Sequence, residues 1–200
     1  MRPSIGFWLC TAGVVLAGLP LSAKNAANFE TIIRFNTTCA QCHEGECSGR
    51  LSFALGAEAV FDHIRRYAGD VDDITAQFLF DALTRMKTTC AFAPLPVLSL
   101  QVADSSSELD HYRNPRTGAY FLPIGTLQPG EYGLNLRLRS PASFRIEIIN
   151  EHFELVEETC LGPNVHQQVV SFRVDERARH YVRFIAPLPL HLESLRWEQD

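Results

Sequence analysis

Residues Tyr132–Arg139 read YGLNLRLR, and this stretch decides the fold class of the second half of the chain. Leu134, Leu136 and Leu138 occupy every second position, with polar residues between them. A period of two places the three leucines on one face of an extended strand. The preceding QPG, residues 128–130, is a turn signal. The stretch therefore predicts an amphipathic β-strand entered through a tight turn.

The same period recurs on both sides of this strand. The predicted strands are Val97–Val102, Ala119–Ile124, Tyr132–Arg139, Phe144–Ile149, Phe153–Glu158, Val169–Val174, His180–Ile185 and Leu190–Trp197. Proline- and glycine-containing turn signals separate several of them, at residues 140–141 and 162–164. This many short strands in roughly 100 residues favours an all-β sandwich of the jelly-roll type over residues 97–200.

The period changes to a helical one before Cys90. Apolar residues at helical spacing predict helices over Asn28–Asn36, Glu58–Tyr67 and Asp73–Thr88. Gly69 suits the end of the second helix, and Asp72 or Asp73 suits the N-cap of the third. Residues 91–96, AFAPLP, predict a stiff linker. The expected fold is therefore two domains, an all-α helical domain over residues 24–92 followed by the all-β sandwich.

The first 23 residues have the pattern of a secretory signal peptide. Arg2 precedes an apolar run over Ile5–Leu19, and Ala23 is a small residue at the predicted cleavage site. A retained anchor is the alternative, but the run is shorter than the ~20 residues that span a bilayer. Cleavage leaves 177 residues and, since Arg2 is removed, changes the formal net charge from −5 to −6. We predict a periplasmic or secreted protein with no stable membrane span, whose acidity excludes nucleic-acid binding.

Residues Cys39–His43 read CAQCH, and C-x-x-C-H is the attachment signature of a c-type haem. The thiols of Cys39 and Cys42 form thioethers with the haem, and His43 binds the iron as its proximal ligand. Export supports this interpretation, because cytochrome c maturation takes place outside the bacterial cytoplasm. The motif predicts one covalent haem c. A zinc site is the competing interpretation, but adding His43 and Cys47 as ligands gives a spacing that is poor for a zinc finger.

Residues 27–90 resemble the small monohaem cytochromes c. The resemblance rests on Phe35, four residues before Cys39, on the C-x-x-C-H motif and on the amphipathic helix predicted at 73–88. It implies three helices around a haem with one exposed edge, and the transfer of single electrons. The chain departs from the family in having no proline between His43 and Pro94, where members carry one that helps to hold the proximal histidine.

The sequence leaves the sixth iron ligand open. His63 is the first candidate, because it lies on the apolar face of its predicted helix and a buried imidazole needs a partner. Met86 is the second, although it lies late inside the last predicted helix and not in a loop before it. A histidine bonded to a backbone carbonyl and an ordinary core methionine are the alternatives for these two residues. A vacant sixth position would instead predict a haem-based sensor or a peroxidase-like enzyme.

Three cysteines remain after export and haem attachment, so at most one disulfide forms within the chain. Cys47–Cys90 would close the helical half on itself, and Cys90–Cys160 would link the two halves. We predict the first pairing, because both residues then lie in one compact unit. Three arginines are candidates to pair with haem propionates, with a solvated helix face as the alternative: Arg50, Arg65 and Arg66.

The second half weakly resembles the jelly-roll modules found beside carbohydrate-active enzymes. The segments that carry this resemblance are residues 127–137, 180–184 and 190–195. It implies glycan or protein binding, but few aromatic residues are available to form a binding platform. The sequence thus predicts an exported electron-transfer protein that is a carrier and not an enzyme. It would exchange electrons with redox partner proteins and use its β half for docking. A glycan- or protein-binding module with an attached haem domain is the further alternative.

Overall fold

A computed structural model describes residues 29–45, 56–93, 95 and 106–199. Helix α1 runs over residues 29–43; it contains a π-helical segment, Phe35–Cys39, and ends in the α-helical turn Ala40–His43. A 3-10 turn, Ala57–Val60, leads into α2, Phe61–Ala68. Helix α3 spans Asp73–Thr89, and α4 spans Ser106–Asp110.

Local sequence explains where α2 and α3 begin and end. Gly69, with φ of 93°, closes α2 in a conformation that favours glycine. The side chain of Asp72 accepts a 2.7 Å hydrogen bond from the backbone N–H of Thr75, which identifies Asp72 as the N-cap of α3. Cys90 ends α3 in the left-handed region, with φ of 52°. The helices predicted from residues 58 and 73 are therefore present, with bounds close to those expected.

The five strands of the described part form one antiparallel sheet. They are β1, Tyr120–Leu127; β2, Gly130–Asn150; β3, Leu155–Val174; β4, Ala178–Ile185; and β5, Leu192–Gln199. The order is β1-β4-β2-β3, and β5 also pairs with β2. Residues 132–138 of β2 pair with β5, and residues 145–150 pair with β4. The long β2 thus connects the two ends of the sheet.

Strands β2 and β3 each replace two predicted strands. The turn signal at residues 140–141 lies where the register of β2 shifts between Arg137 and Ala142, so the strand bends through an irregularity and continues. Residues 162–164 fall in the corresponding part of β3. The strand predicted at Val97–Val102 lies outside the described residues, as does the predicted signal peptide.

The predicted fold class, an all-α cytochrome-like domain followed by a jelly-roll sandwich, is wrong. The molecule is mostly antiparallel β-sheet, and its helices share one hydrophobic core with that sheet. Phe92, just after α3, packs against Phe121 of β1 and Tyr181 of β4, with ring centroids 5.1 Å apart in each case. Short helices bury too little apolar surface to form a core alone, so their apolar faces pack on the sheet.

The boundaries predicted at 24–92 and 97–200 stay predictions, since most of the linker lies outside the described residues. The shared core does not depend on that linker. The ring of Phe29 in α1 lies 5.2 Å from that of Tyr112, which follows α4, in an edge-to-face contact. Among the described helices, none has both the length and the apolar character needed to cross a membrane.

Candidate functional site

A cavity of about 570 Å³ lies between α1, α2 and α3. Its walls carry both motif cysteines and two histidines within a mostly apolar lining: Phe35, Thr38, Cys39, Cys42, His43, Ala59, Val60, His63, Ile64, Tyr67, Leu79, Phe80 and Leu83. The volume falls within the ~300–1,000 Å³ common for small-molecule and cofactor sites. The whole C-x-x-C-H signature, apart from its two spacer residues, therefore faces one cavity together with His63.

The two motif cysteines are free thiols on the last turns of α1. Burial raises the pKa of the Cys39 thiol to about 11, and the nearby Cys42 adds to this rise, whereas Arg116 and Arg34 oppose it. Cys39 is therefore protonated at neutral pH. Dithiol oxidoreductases depend on a cysteine whose pKa is lowered, so the environment of Cys39 does not favour that chemistry.

His43 and His63 approach the cavity from different helices. Their ring centroids are 6.3 Å apart, and the ring planes meet at 72°. His43 is half-buried at the end of α1, and His63 is exposed on α2. The ring of Tyr67, one turn after His63, lies 4.9 Å from the His63 ring. Two imidazoles at this separation can bind one metal centre between them.

Met86, the other candidate for the sixth ligand, is placed differently. It is 1% exposed and belongs to the shared hydrophobic core, and it is not among the residues that line the cavity. Of the two candidates, only His63 is therefore brought to the cavity wall with the C-x-x-C-H motif.

The remaining predicted residues are only partly covered by the described ranges. Cys90 is disulfide-bonded, and its predicted partner Cys47 lies outside those ranges. Cys160 is a free, exposed thiol on β3. Arg50 also lies outside the described residues.

The two other arginines proposed for haem propionates lie on α2. Arg65 pairs with Asp73 and lies 3.9 Å from a carboxylate oxygen of Asp62, and its guanidinium lies 5.4 Å from the centre of the Phe61 ring. Arg66 is exposed. The structure thus gives Arg65 protein partners of its own and leaves Arg66 on a solvated helix face.

The zinc interpretation needs more ligands than the described residues bring together. Within these residues, no three histidine, cysteine, aspartate or glutamate side chains form a group that could hold a metal ion. A tetrahedral zinc site takes four ligands, and the described side chains, Cys39, Cys42, His43 and His63 included, do not converge to form one. A haem iron takes only two axial ligands from the protein, because the macrocycle supplies the others.

A buried ion network joins the sheet to the residue that follows His43. Arg183 of β4 donates two hydrogen bonds of 2.8 Å to the carboxylate oxygens of Glu44, and its Nε donates a 2.6 Å bond to Glu147 of β2. Burial by itself lowers the pKa of Arg183, but the hydrogen bonds and charges of both glutamates outweigh it and raise the pKa above its usual value. Arg183 therefore stays charged, with both carboxylates as partners.

The end of α1 is also held by α3 and by the segment before β1. The ammonium group of the buried Lys87 donates a hydrogen bond to the carbonyl oxygen of His43. The side-chain amide of Asn114, which is fully buried, donates a 2.8 Å bond to Oγ1 of Thr37. The turn that carries the motif is thus fixed by groups from three other parts of the chain.

Sequence reasoning missed Glu44, Lys87 and Arg183 as parts of this site. A signal was present for Arg183 and Glu147, because both are charged residues inside apolar strands and they lie opposite each other in the β2–β4 ladder. Opposite charges at such positions indicate a buried pair. Recognising the pair required the strand register, which the sequence pattern alone does not supply.

No protein-family model and no curated protein matches this chain. Among solved structures, the chain shows a partial likeness to a family GH115 4-O-methyl-alpha-glucuronidase with specificity for decorated arabinogalactans. The two share 14% sequence identity at a TM-score of 0.31, over 41% of this chain and 13% of that enzyme. A likeness at this level carries no argument about fold or function.

Proposed function

We propose that this protein is an exported haem-c protein that transfers single electrons. Cys39 and Cys42 would hold one covalent haem in the cavity between α1, α2 and α3, and His43 and His63 would bind its iron. The observation that carries the proposal is the pair of imidazoles 6.3 Å apart in the same cavity as the two thiols.

The separation of the two rings is the test of fit. A metal–imidazole bond is about 2.0 Å long and the ring centre lies about 1.2 Å beyond the nitrogen, so two imidazoles that held one metal between them would have centroids about 6.4 Å apart. The observed distance of 6.3 Å agrees with this value. The residues present therefore fit an iron with two histidine ligands.

The thiols and the apolar walls also suit a haem. Cys39 and Cys42 are three residues apart on a helical turn, a spacing that places both side chains on one face. Phe35, Leu79 and Leu83 also line the cavity and would exclude water from a bound macrocycle. When bound, the haem supplies a one-electron couple whose potential depends on its axial ligands and surroundings.

Exposure on one side of the cavity supports a carrier function. Cys42 and His63 are both exposed, so a group held between them would keep an edge accessible to a partner protein. We infer that redox proteins exchange electrons at this edge, in the periplasm or outside the cell, and that the sheet supports docking.

Covalent attachment is tested first. The full-length chain is produced in a host with a c-type maturation system, and haem is detected by staining of denatured protein and by absorption spectra. The double variant Cys39→Ser/Cys42→Ser should lose all covalent haem. Cys160→Ser is the matched control, since this free thiol lies on β3, and it should keep wild-type haem content. Haem retained in the double variant would refute the attachment.

The sixth ligand is tested by the spectra of oxidised and reduced protein. Wild type should be low-spin and unaffected by carbon monoxide, whereas His63→Ala should become high-spin and bind it. His111→Ala and Met86→Leu are the controls, because His111 is an exposed histidine after α4 and Met86 lies in the core; both should keep the wild-type spectrum. A wild-type protein that is high-spin and binds carbon monoxide or peroxide would instead identify a sensor or an enzyme.

A further inference from the structure

We propose that Arg183 is the positioning residue for the haem-attachment turn, so that the β-sheet, through Arg183 and Glu44, sets the redox potential of the iron. This inference rests on the proposed function, because it concerns His43 as an iron ligand. It assigns a role in the haem site to a residue on β4, far from the motif in sequence.

Arg183 and Glu44 form a bidentate ion pair next to the motif. Glu44 follows His43 directly, and both of its carboxylate oxygens accept 2.8 Å hydrogen bonds from the guanidinium of Arg183. The side chain of Arg183 is only 3% exposed, so solvent and salt screen the pair little. A planar fork with two parallel bonds fixes both the position and the orientation of the carboxylate.

Arg183 is itself held in place by Glu147. Its Nε donates a 2.6 Å hydrogen bond to one oxygen of Glu147, and the other oxygen of Glu147 lies 2.9 Å from a guanidinium nitrogen of Arg145. The chain of contacts therefore runs from strand β2 through Arg183 to Glu44. Because the sheet anchors this chain, Glu44 cannot move without breaking buried charged contacts.

His43 is supported both from α3 and, through its neighbour Glu44, from the sheet. In this structure Lys87 binds the carbonyl of His43 from α3, and Arg183 binds the next side chain from the sheet. Groups around a metal ligand fix its orientation and typically affect metal binding or activity by about 10–100-fold.

The experiment compares wild type with Glu44→Gln and Arg183→Lys as haem-loaded full chains. A glutamine has one acceptor oxygen for the two N–H groups of Arg183, and a lysine keeps the charge but not the fork. Arg173→Met is the control, because Arg173 pairs with Glu131 and Asp175, outside this network. Midpoint potentials are measured by spectroelectrochemical titration, and circular dichroism verifies the fold.

We expect Glu44→Gln and Arg183→Lys to raise the midpoint potential, because a less firmly held His43 stabilises the oxidised iron less. The ratio of reduced to oxidised protein at the wild-type midpoint should rise about tenfold, which is ~59 mV for a one-electron couple. The low-spin spectrum should broaden in both variants. Arg173→Met should stay within about twofold of wild type, although it loses two ion pairs.

Two results would overturn the inference. One is that both variants fold and carry haem with the wild-type potential and spectrum; the other is that Arg173→Met shifts the potential as much as they do, which would indicate a general loss of stability. If Arg183→Lys does not fold, the low-spin spectrum of Glu44→Gln decides, because loss of the Glu44 charge raises the potential by itself but broadens the spectrum only if His43 is held less firmly; glutamine has the same shape as glutamate. A wild-type chain without covalent haem would refute the proposed function itself, which separates the two failures.

Discussion

Replacement of Phe92 by alanine tests whether helices and sheet form one cooperative unit. Phe92 is 3% exposed, and its ring lies 5.1 Å from those of Phe121 and Tyr181 and 4.7 Å from that of Phe153. It follows α3, whereas two of its partners belong to β1 and β4. The cavity left by Phe92→Ala would therefore open at the junction between the helices and the sheet.

The expected cost follows from this packing. Truncation of a buried phenylalanine to alanine costs about 3–5 kcal/mol, because transfer free energy and cavity formation add. Aromatic pairs contribute about 0.5–1.5 kcal/mol each beyond buried area, and Phe92 makes three such contacts. We therefore expect the free energy of unfolding to fall by about 4–5 kcal/mol, near the upper end of the range.

Urea unfolding should be followed with two probes. Circular dichroism reports on the helices, and the fluorescence of Trp197 on β5, the only tryptophan left after the predicted cleavage, reports on the sheet. In wild type and in Phe92→Ala, both probes should give one transition at the same urea concentration. The matched control is Phe78→Ala on α3, where the side chain is 40% exposed and the cost should stay below ~1 kcal/mol.

A core shared by the helices and the sheet would be refuted if the free energy of unfolding fell no more in Phe92→Ala than in Phe78→Ala. It would also be refuted if the helical signal of the variant were lost at low urea while the Trp197 transition kept its wild-type midpoint. That result would mean that the helices and the sheet unfold separately and that the shared core does not couple them.

Three further perturbations test the buried polar groups of the sheet. Arg183→Met leaves the buried Glu147 without its main partner and should lower the free energy of unfolding by about 3–5 kcal/mol in urea titrations; a loss below ~1 kcal/mol contradicts the network. Burial lowers the pKa of His180 in the folded state, so the unfolded state binds protons more readily, and stability should fall as pH drops below about 6.5. That slope, measured by thermal unfolding at a series of pH values, should be smaller in His180→Asn, and an unchanged slope would assign it to other groups. Tyr120→Phe removes a hydroxyl that donates a 3.1 Å hydrogen bond to Asp110, and the free energy of unfolding in urea should fall by about 1–3 kcal/mol with no loss of haem. An unchanged unfolding midpoint would show that this bond has no net effect on stability.

Local sequence patterns predicted the secondary structure far better than its arrangement. The helices at 58–67 and 73–88 follow from apolar spacing, and their ends follow from Gly69 and Asp72, because capping depends only on neighbouring residues. The predicted number of strands is wrong because Ser140 and Pro141, read as a turn, lie at an irregularity inside β2 and do not end the strand. The pairing of β2 with β3 stops at Arg137 and resumes at Ala142, so β3 keeps the two parts in one strand, and no local pattern contains that partner.

The difference between local patterns and long-range packing also explains why the predicted fold class is wrong. The helical half has an apolar face on each helix, and the sequence pattern does not state whether any part of these faces packs on the second half of the chain as well as around a cofactor. Phe92 and Phe29 show which arrangement occurs, since their rings pack on residues from the second half of the chain. Hydrophobic burial is non-directional, so the pattern of apolar residues does not state which surface covers them.

The sequence by itself determined the parts of the candidate site that lie within one or two helical turns. The spacing of Cys39, Cys42 and His43 places three chemically specific groups on the end of one helix, and no distant contact is needed to bring them together. It also singled out His63, but on the wrong ground, since the imidazole is exposed and not buried. These conclusions depend on local geometry, which the chain carries in its spacing.

Only the tertiary structure decided which distant residues meet the motif. It brings His63 to within 6.3 Å of His43 between ring centroids and leaves Met86 in the core. It also pairs Glu44 with Arg183, 139 positions away, through a strand register that no short pattern encodes. The physical reason is that helix ends and spacings are set by neighbouring residues, whereas buried charge pairs exist only where packing removes both partners from water.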